Sequence, residues 1–134
     1  MGRLAVAYDG LDPALRTAVS IRDCYRCRWC GRTDVPTDPH HIRYRRGAVD
    51  DTEDNLILLC RQHHGFVHGD KNARGESIWK PVAQGILWEL IEKPGMTGMA
   101  LWRQRKRQWS AMGYCEHGQP PGSCSCGYRG DDDV

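Results

Sequence analysis

The sequence has no long apolar run. No stretch of its 134 residues approaches the roughly 20 that span a bilayer. The opening segment MGRLAVAYDGLDP has no hydrophobic stretch of signal-peptide length. A membrane partner is therefore not expected, and a cytoplasmic location is. Strong net charge is also missing: +2 at pH 7 is too little to mark a nucleic-acid partner by itself. There is no internal repeat. A chain of this length fits one compact domain with appendages. It buries a modest share of its surface, so a bound metal would add useful stability.

The distribution of charge says more than its sum. Between Arg16 and Arg46 lie eight arginines against three acids, a net of +5. Arg103, Arg105, Lys106 and Arg107 form a second basic cluster, while acids collect at 50–54 and 131–133. Basic patches attract phosphate, although such runs are also simply solvated faces. Seven cysteines would suit a disulfide scaffold in a secreted protein. In a cytosolic chain, cysteines clustered beside histidines point instead to metal.

Asp12-Pro13 reads as a helix start, with Leu15, Val19 and Ile21 on a short helix ending near Asp23. Tyr25–Arg32 reads as a strand entering a tight metal knuckle, Gly31 supplying permissive backbone. The region of Pro36 and Pro39 reads as loop, 41–44 as a brief strand and 45–53 as a charged loop. Residues 55–60 form an apolar strand and 62–69 a short helix. Beyond a turn-rich linker at 71–75, the apolar run 86–91 is too short to assign by periodicity. Residues 99–112 carry helix formers. The fold class expected is α+β: a domain over 1–70 with its core at 16–70, a mainly helical extension over 71–112, and a Cys/Gly-rich tail over 113–134.

Two constellations carry chemistry. Cys27-x2-Cys30 with Cys60-x2-His63 offers two ligand pairs, each able to grip one ion from a single turn. Zn²⁺ favours four such thiolate and imidazole donors in a tetrahedron, and a site filled by protein is structural. The second constellation is His40-His41, Asn55 and His64-x3-His68. Four-residue spacing puts His64 and His68 on one helix face. Five of the six histidines lie between positions 40 and 68.

The run His40-His41-Ile42, followed by Asp54-Asn55-Leu56-Ile57-Leu58-Leu59-Cys60-Arg61-Gln62-His63-His64-Gly65-Phe66-Val67-His68, resembles the HNH endonuclease family. The segment from Arg22 to Arg32 is similar to the leader of its zinc-bearing members, and small phage and actinobacterial proteins are nearest in flavour. The resemblance covers about residues 16–70 and implies a ββα-metal core. It implies His41 as general base, His40 as metal ligand, and Asn55 as a brace for the loop carrying the base. His64 and His68 would complete the catalytic metal site or contact the scissile phosphate. At the fourth structural position His63 replaces the commoner cysteine, and Cys24 stands where glycine is frequent.

The chemistry implied is hydrolysis of a DNA phosphodiester. A divalent ion at His40, His64 and His68 would stabilise charge on the phosphate, and imidazole suits base work near neutrality. Mg²⁺ and Mn²⁺ are plausible by chemistry, and a histidine-rich site also binds Ni²⁺ or Zn²⁺ strongly. Arg43, Arg45 and Arg46 are candidates for gripping phosphates beside the cut, with Arg103, Arg105, Lys106 and Arg107 extending the footprint. In the tail, Cys115-x-His117 and Cys124-x-Cys126 read either as a second zinc knuckle or as a cysteine-bearing tail without metal. Two other readings stand beside the free-standing nuclease. One is a zinc-stabilised DNA-binding module. The other is a subunit of a larger DNA-processing machine, such as a phage terminase, acting in the host cytoplasm.

Overall fold

A computed structural model describes residues 11–115 and 118–120. Among them the chain is mixed α/β, with four α-helices, two 3-10 turns and one two-stranded antiparallel sheet. The order is α1 (Pro13–Arg22), β1 (Thr37–His41), 3-10 turns at Ala48–Asp50 and Glu53–Asn55, β2 (Leu56–Cys60), α2 (Arg61–Val67), α3 (Lys80–Glu92) and α4 (Gly98–Ala111).

Every residue of β2 is buried. Successive side chains of a strand point to opposite faces, so an unbroken apolar run suits a strand covered on both. Leu56 and Leu58 pack with Leu11, Leu15 and Val19 on the α1 side. Ile57 and Leu59 join the larger core with Trp29, Phe66, Ile86, Leu87, Leu90, Leu101 and Trp102. This core therefore draws together the middle of the chain and both C-terminal helices. In the ladder His40 lies opposite Ile57 and His41 opposite Leu56. Directly opposed residues share a face, which sends His40 toward α2.

Two local expectations fail for physical reasons. Pro39 lies inside β1 rather than in a loop, and the strand starts four residues before His41. A two-stranded sheet has only edges, where a missing N–H is tolerated. Tyr25–Arg32 forms turns rather than a strand. Cys24 and Tyr25 adopt φ of 58° and 53°, reversing the chain just after α1. Left-handed backbone costs a non-glycine residue about 1–2 kcal/mol. Here the amide of Tyr25 donates to Ser20 O at 2.8 Å and helps to hold the reversal.

Asp23 and Arg28, both buried, tie this reversal to the rest. Asp23 accepts from the Arg28 guanidinium at 2.9 Å, from Arg22 at 2.8 and 2.9 Å, and from the Leu58 amide at 3.0 Å. A second Arg28 nitrogen donates to the carbonyls of Leu90, Lys93, Pro94 and Met96 at 3.1–3.4 Å. The last carbonyls of α3 lack intrahelical partners, and a cation there is favourable.

The ambiguous run at 86–91 is helical, with Ala83, Ile86, Leu87 and Leu90 along the buried face of α3. α4 opens on Thr97, whose hydroxyl accepts from the Ala100 amide at 3.2 Å. Gly98 lies flat against Trp29, and a Cβ there would overlap the indole. No helix among the described residues is long and apolar enough to cross a membrane.

Candidate metal centres

Strand β2 runs straight into α2, so Cys60 and His63 stand at the first helical turn facing the knuckle of Cys27 and Cys30. The four ligand atoms lie within 4.8 Å of one another. His63 presents Nδ1, 3.3 Å from Cys60 Sγ and 3.9 Å from Cys27 Sγ. The knuckle closes where the Gly31 amide donates to Cys27 O at 2.7 Å, with Gly31 at φ 80°. The Trp29 amide points at Cys27 Sγ from 3.4 Å. Burial pushes the thiols of Cys27 and Cys60 above the usual range and the His63 imidazole below it. Thiolates are the metal-binding form, so a cation among these sulfurs offsets the cost of their burial. These four residues are placed to bind a metal ion, and the donor set is consistent with structural zinc.

The next residue along α2 starts a different centre. His64 and His68 meet His40 from β1, and their ligand nitrogens also lie within 4.8 Å of one another. Ring centroids are 5.0 Å apart for His40–His64 and His40–His68, and 4.9 Å for His64–His68. Burial, reinforced by His64 and His68, pushes His40 down to about 3. Burial also lowers His64 and His68. Neutral imidazoles with available lone pairs are what a cation requires. His40 is buried, His64 half-buried and His68 exposed, so the group opens on one side.

That side is a cleft of about 570 Å³ between the end of β1, the end of α2 and the start of α3. His40 and His41 both line it, although neighbours within a strand would diverge, because His41 is the last residue of β1. His41 Nε2 lies 2.9 Å from Asp51 Oδ1. Arg45 forks the same carboxylate at 2.8 and 2.9 Å. The Arg45 hydrogen bonds, with His41 adding, hold Asp51 below the usual carboxylate range. Asn55 is buried and braces the intervening loop. Its side chain accepts from the Arg43 amide at 2.8 Å and donates to Asp50 O at 2.9 Å and Arg43 O at 3.2 Å.

The basic residues proposed to meet phosphate are largely engaged by acids. Arg43 and Arg46 both reach buried Asp50, as Arg45 reaches Asp51. On α4, Arg105 pairs with Glu89, and Lys106 reaches Glu76 and lies 3.7 Å over the Trp102 ring. Arg103 and Arg107 are exposed. In the tail, Cys115 Sγ accepts from the Gln119 amide at 3.4 Å. His117, Cys124 and Cys126 lie outside the described residues.

Sequence reasoning missed Asp51 and Lys80. Asp51 was concealed in an acidic run that reads as solvated loop. Lys80, at the start of α3, lines the cleft with the histidines, and nothing local in the sequence marks it. No family model matches the chain, and no curated protein or solved structure matches it.

Proposed function

We propose that the chain is a metal-dependent DNA endonuclease of the HNH type, with β1, β2 and α2 as its ββα-metal core and zinc at the Cys3His cluster. The observation that carries this reading is the convergence of His40, His64 and His68 at the edge of a cleft that His41 also lines. Three imidazoles with one open side suit a divalent cation that must still accept substrate oxygen. A cation bound there would supply Lewis-acid polarisation of the scissile phosphate and neutralise charge at the leaving oxygen. Imidazole donors favour Ni²⁺, Zn²⁺ and related ions over Mg²⁺, which prefers carboxylate and water.

The protein groups do the rest. Asp51, held ionised by Arg45, accepts from His41 Nε2, which leaves the Nδ1 lone pair to take a proton from water. Asp51 is thus the positioning residue for the base, and Asn55 fixes the loop between them. Lys80 and the exposed edges of Arg43 and Arg46 attract the phosphate backbone without reading sequence.

Plasmid cleavage with Mg²⁺, Mn²⁺, Ni²⁺ or Zn²⁺ tests the proposal. The parent is expected to nick or linearise DNA. His41→Ala should lower the rate by about 10²–10⁴-fold, and Asp51→Asn by roughly tenfold to a hundredfold. Equal cutting by parent and His41→Ala would remove His41 as the base. A parent inactive on every nucleic acid would favour the binding module, or a subunit that cuts only beside a partner such as a phage terminase.

A further inference from the structure

Resting on the nuclease reading, we propose that the cleft beside the three histidines receives an unpaired nucleobase, making the favoured substrate single-stranded or locally unpaired nucleic acid. A centre that only met the backbone of a paired duplex would need a charged, shallow surface. Here the accessible walls are apolar, built from Pro39, Pro81 and the Tyr44 ring over a floor of the buried side chains of Ile42, Val67, Ala83 and Leu87. The volume, about 570 Å³, falls within the roughly 300–1,000 Å³ of small-molecule sites. In a paired duplex the bases are stacked inward, and nothing apolar of that size is offered to such a cleft.

The rim supplies the complementary half. Lys80 and the histidine group border the apolar walls, with Arg45 beside them already forked onto Asp51, so the fitting ligand joins a flat apolar group to an anion that Lys80 meets. A nucleotide is that ligand. Gln84 lines the cleft and donates one amide hydrogen to Ile42 O at 2.7 Å. The remaining acceptor and donor of its amide are of the kind that pairs with a base edge. At the mouth Tyr44 is 82% exposed, flanked in sequence by Arg43 and Arg45. An exposed aromatic offers a face on which a base of a single strand stacks without sequence preference, while Arg43 and Arg45 hold Asp50 and Asp51. With the base in the cleft, its neighbouring phosphate lies at the histidines. Cutting next to an unpaired residue follows.

The test uses the full chain and synthetic oligonucleotides: a single strand, the same sequence as a hairpin duplex, and single strands with one abasic residue at successive positions. Binding is read by fluorescence anisotropy without added divalent ion, and cleavage with Mn²⁺. The single strand should bind and be cut about tenfold better than the duplex. One abasic position beside the cut should lower both by a similar factor. Tyr44→Ala, at an exposed position that leaves the core untouched, should weaken single-strand binding several-fold. Cleavage of duplex equal to or better than single strand, or indifference to abasic residues, overturns the proposal. If nothing is cut yet single strands bind better than the duplex and one abasic position weakens that binding, the cleft assignment stands and the nuclease reading falls. If nothing is cut and nothing binds, both fall.

Discussion

The two candidate metal centres share one short helix and differ in nearly everything around it. His63 and His64 are consecutive, and a rotation of about 100° per residue sends the first toward the knuckle and the second toward the cleft. The Cys27, Cys30, Cys60 and His63 cluster has four protein donors, leans on Trp29 and Phe66, and leaves no position for another ligand. The His40, His64 and His68 cluster has three donors of one kind and a solvent side. The difference teaches how so small a chain divides its donors: four that suit a tetrahedron are packed against the core, and three of one kind are left facing a cleft.

The sharpest way to break the comparison is to remove one ligand from each centre. Structural zinc binding is worth about 10–16 kcal/mol in small zinc domains at neutral pH, more than most domains have as total stability. Cys60→Ser should therefore abolish the cooperative thermal transition in circular dichroism and the stoichiometric zinc found by metal analysis. His64→Ala should keep both and lose metal-dependent cleavage. A Cys60→Ser protein that melts at the parent temperature would show that the closed centre is not a staple.

A smaller effect tests whether the closed centre is welded to the C-terminal helices by charge. Arg28 joins Asp23 to the last carbonyls of α3 from a fully buried position, and removing one partner strands the other without compensation. Asp23→Ala should cost about 3–5 kcal/mol, read from urea denaturation of the zinc-loaded protein. A change below about 1 kcal/mol would mean that the knuckle is held by the metal and apolar contacts alone.

These residues also show what was legible in the sequence. Ligand pairs were visible because metal grips and helix faces are local: two-residue gaps at Cys27–Cys30 and Cys60–His63, and a four-residue gap at His64–His68. β2 was visible because an unbroken apolar run of five residues suits a strand covered on both faces. β1 was misplaced because Pro39 signals loop everywhere except on an edge. Tyr25–Arg32 reads as a strand entering the knuckle, rather than as the turns it forms, because nothing in Cys24-Tyr25 announces a left-handed reversal. The arginine count was the least informative about placement: Arg22 and Arg28 hold Asp23 inside the molecule, and Arg43, Arg45 and Arg46 pair with Asp50 and Asp51. Charge balance in space cannot be read from charge density along a chain. The cleft itself was out of reach, since it exists only where the start of α3 comes together with the ends of β1 and α2.

The last contrast is in the response to acid, and it is the smallest effect. His40 is 8% exposed, and burial with two neighbouring imidazoles pushes it down to about 3, whereas an unfolded histidine titrates near 6.5. Above about pH 6.5 both states hold His40 neutral, and its burial carries no protonation penalty. As pH falls from there toward 3, the unfolded chain takes up a proton that the folded one refuses, so stability is lost on acidification. With no ion added to the open centre, the loss attributable to His40 at pH 5 is at most about 2 kcal/mol, at 1.36 kcal/mol per unit. His40→Gln removes the titrating group, so its stability should change less than the parent's between pH 7.5 and 5. An ion that ties up the three lone pairs should deepen the parent's acid sensitivity, because protons then compete with a bound cation. Identical pH dependence for parent and His40→Gln in urea denaturation would show that His40 is hydrated and protonates freely. The open centre would then lack the dry wall that distinguishes a ligand cluster from three surface histidines.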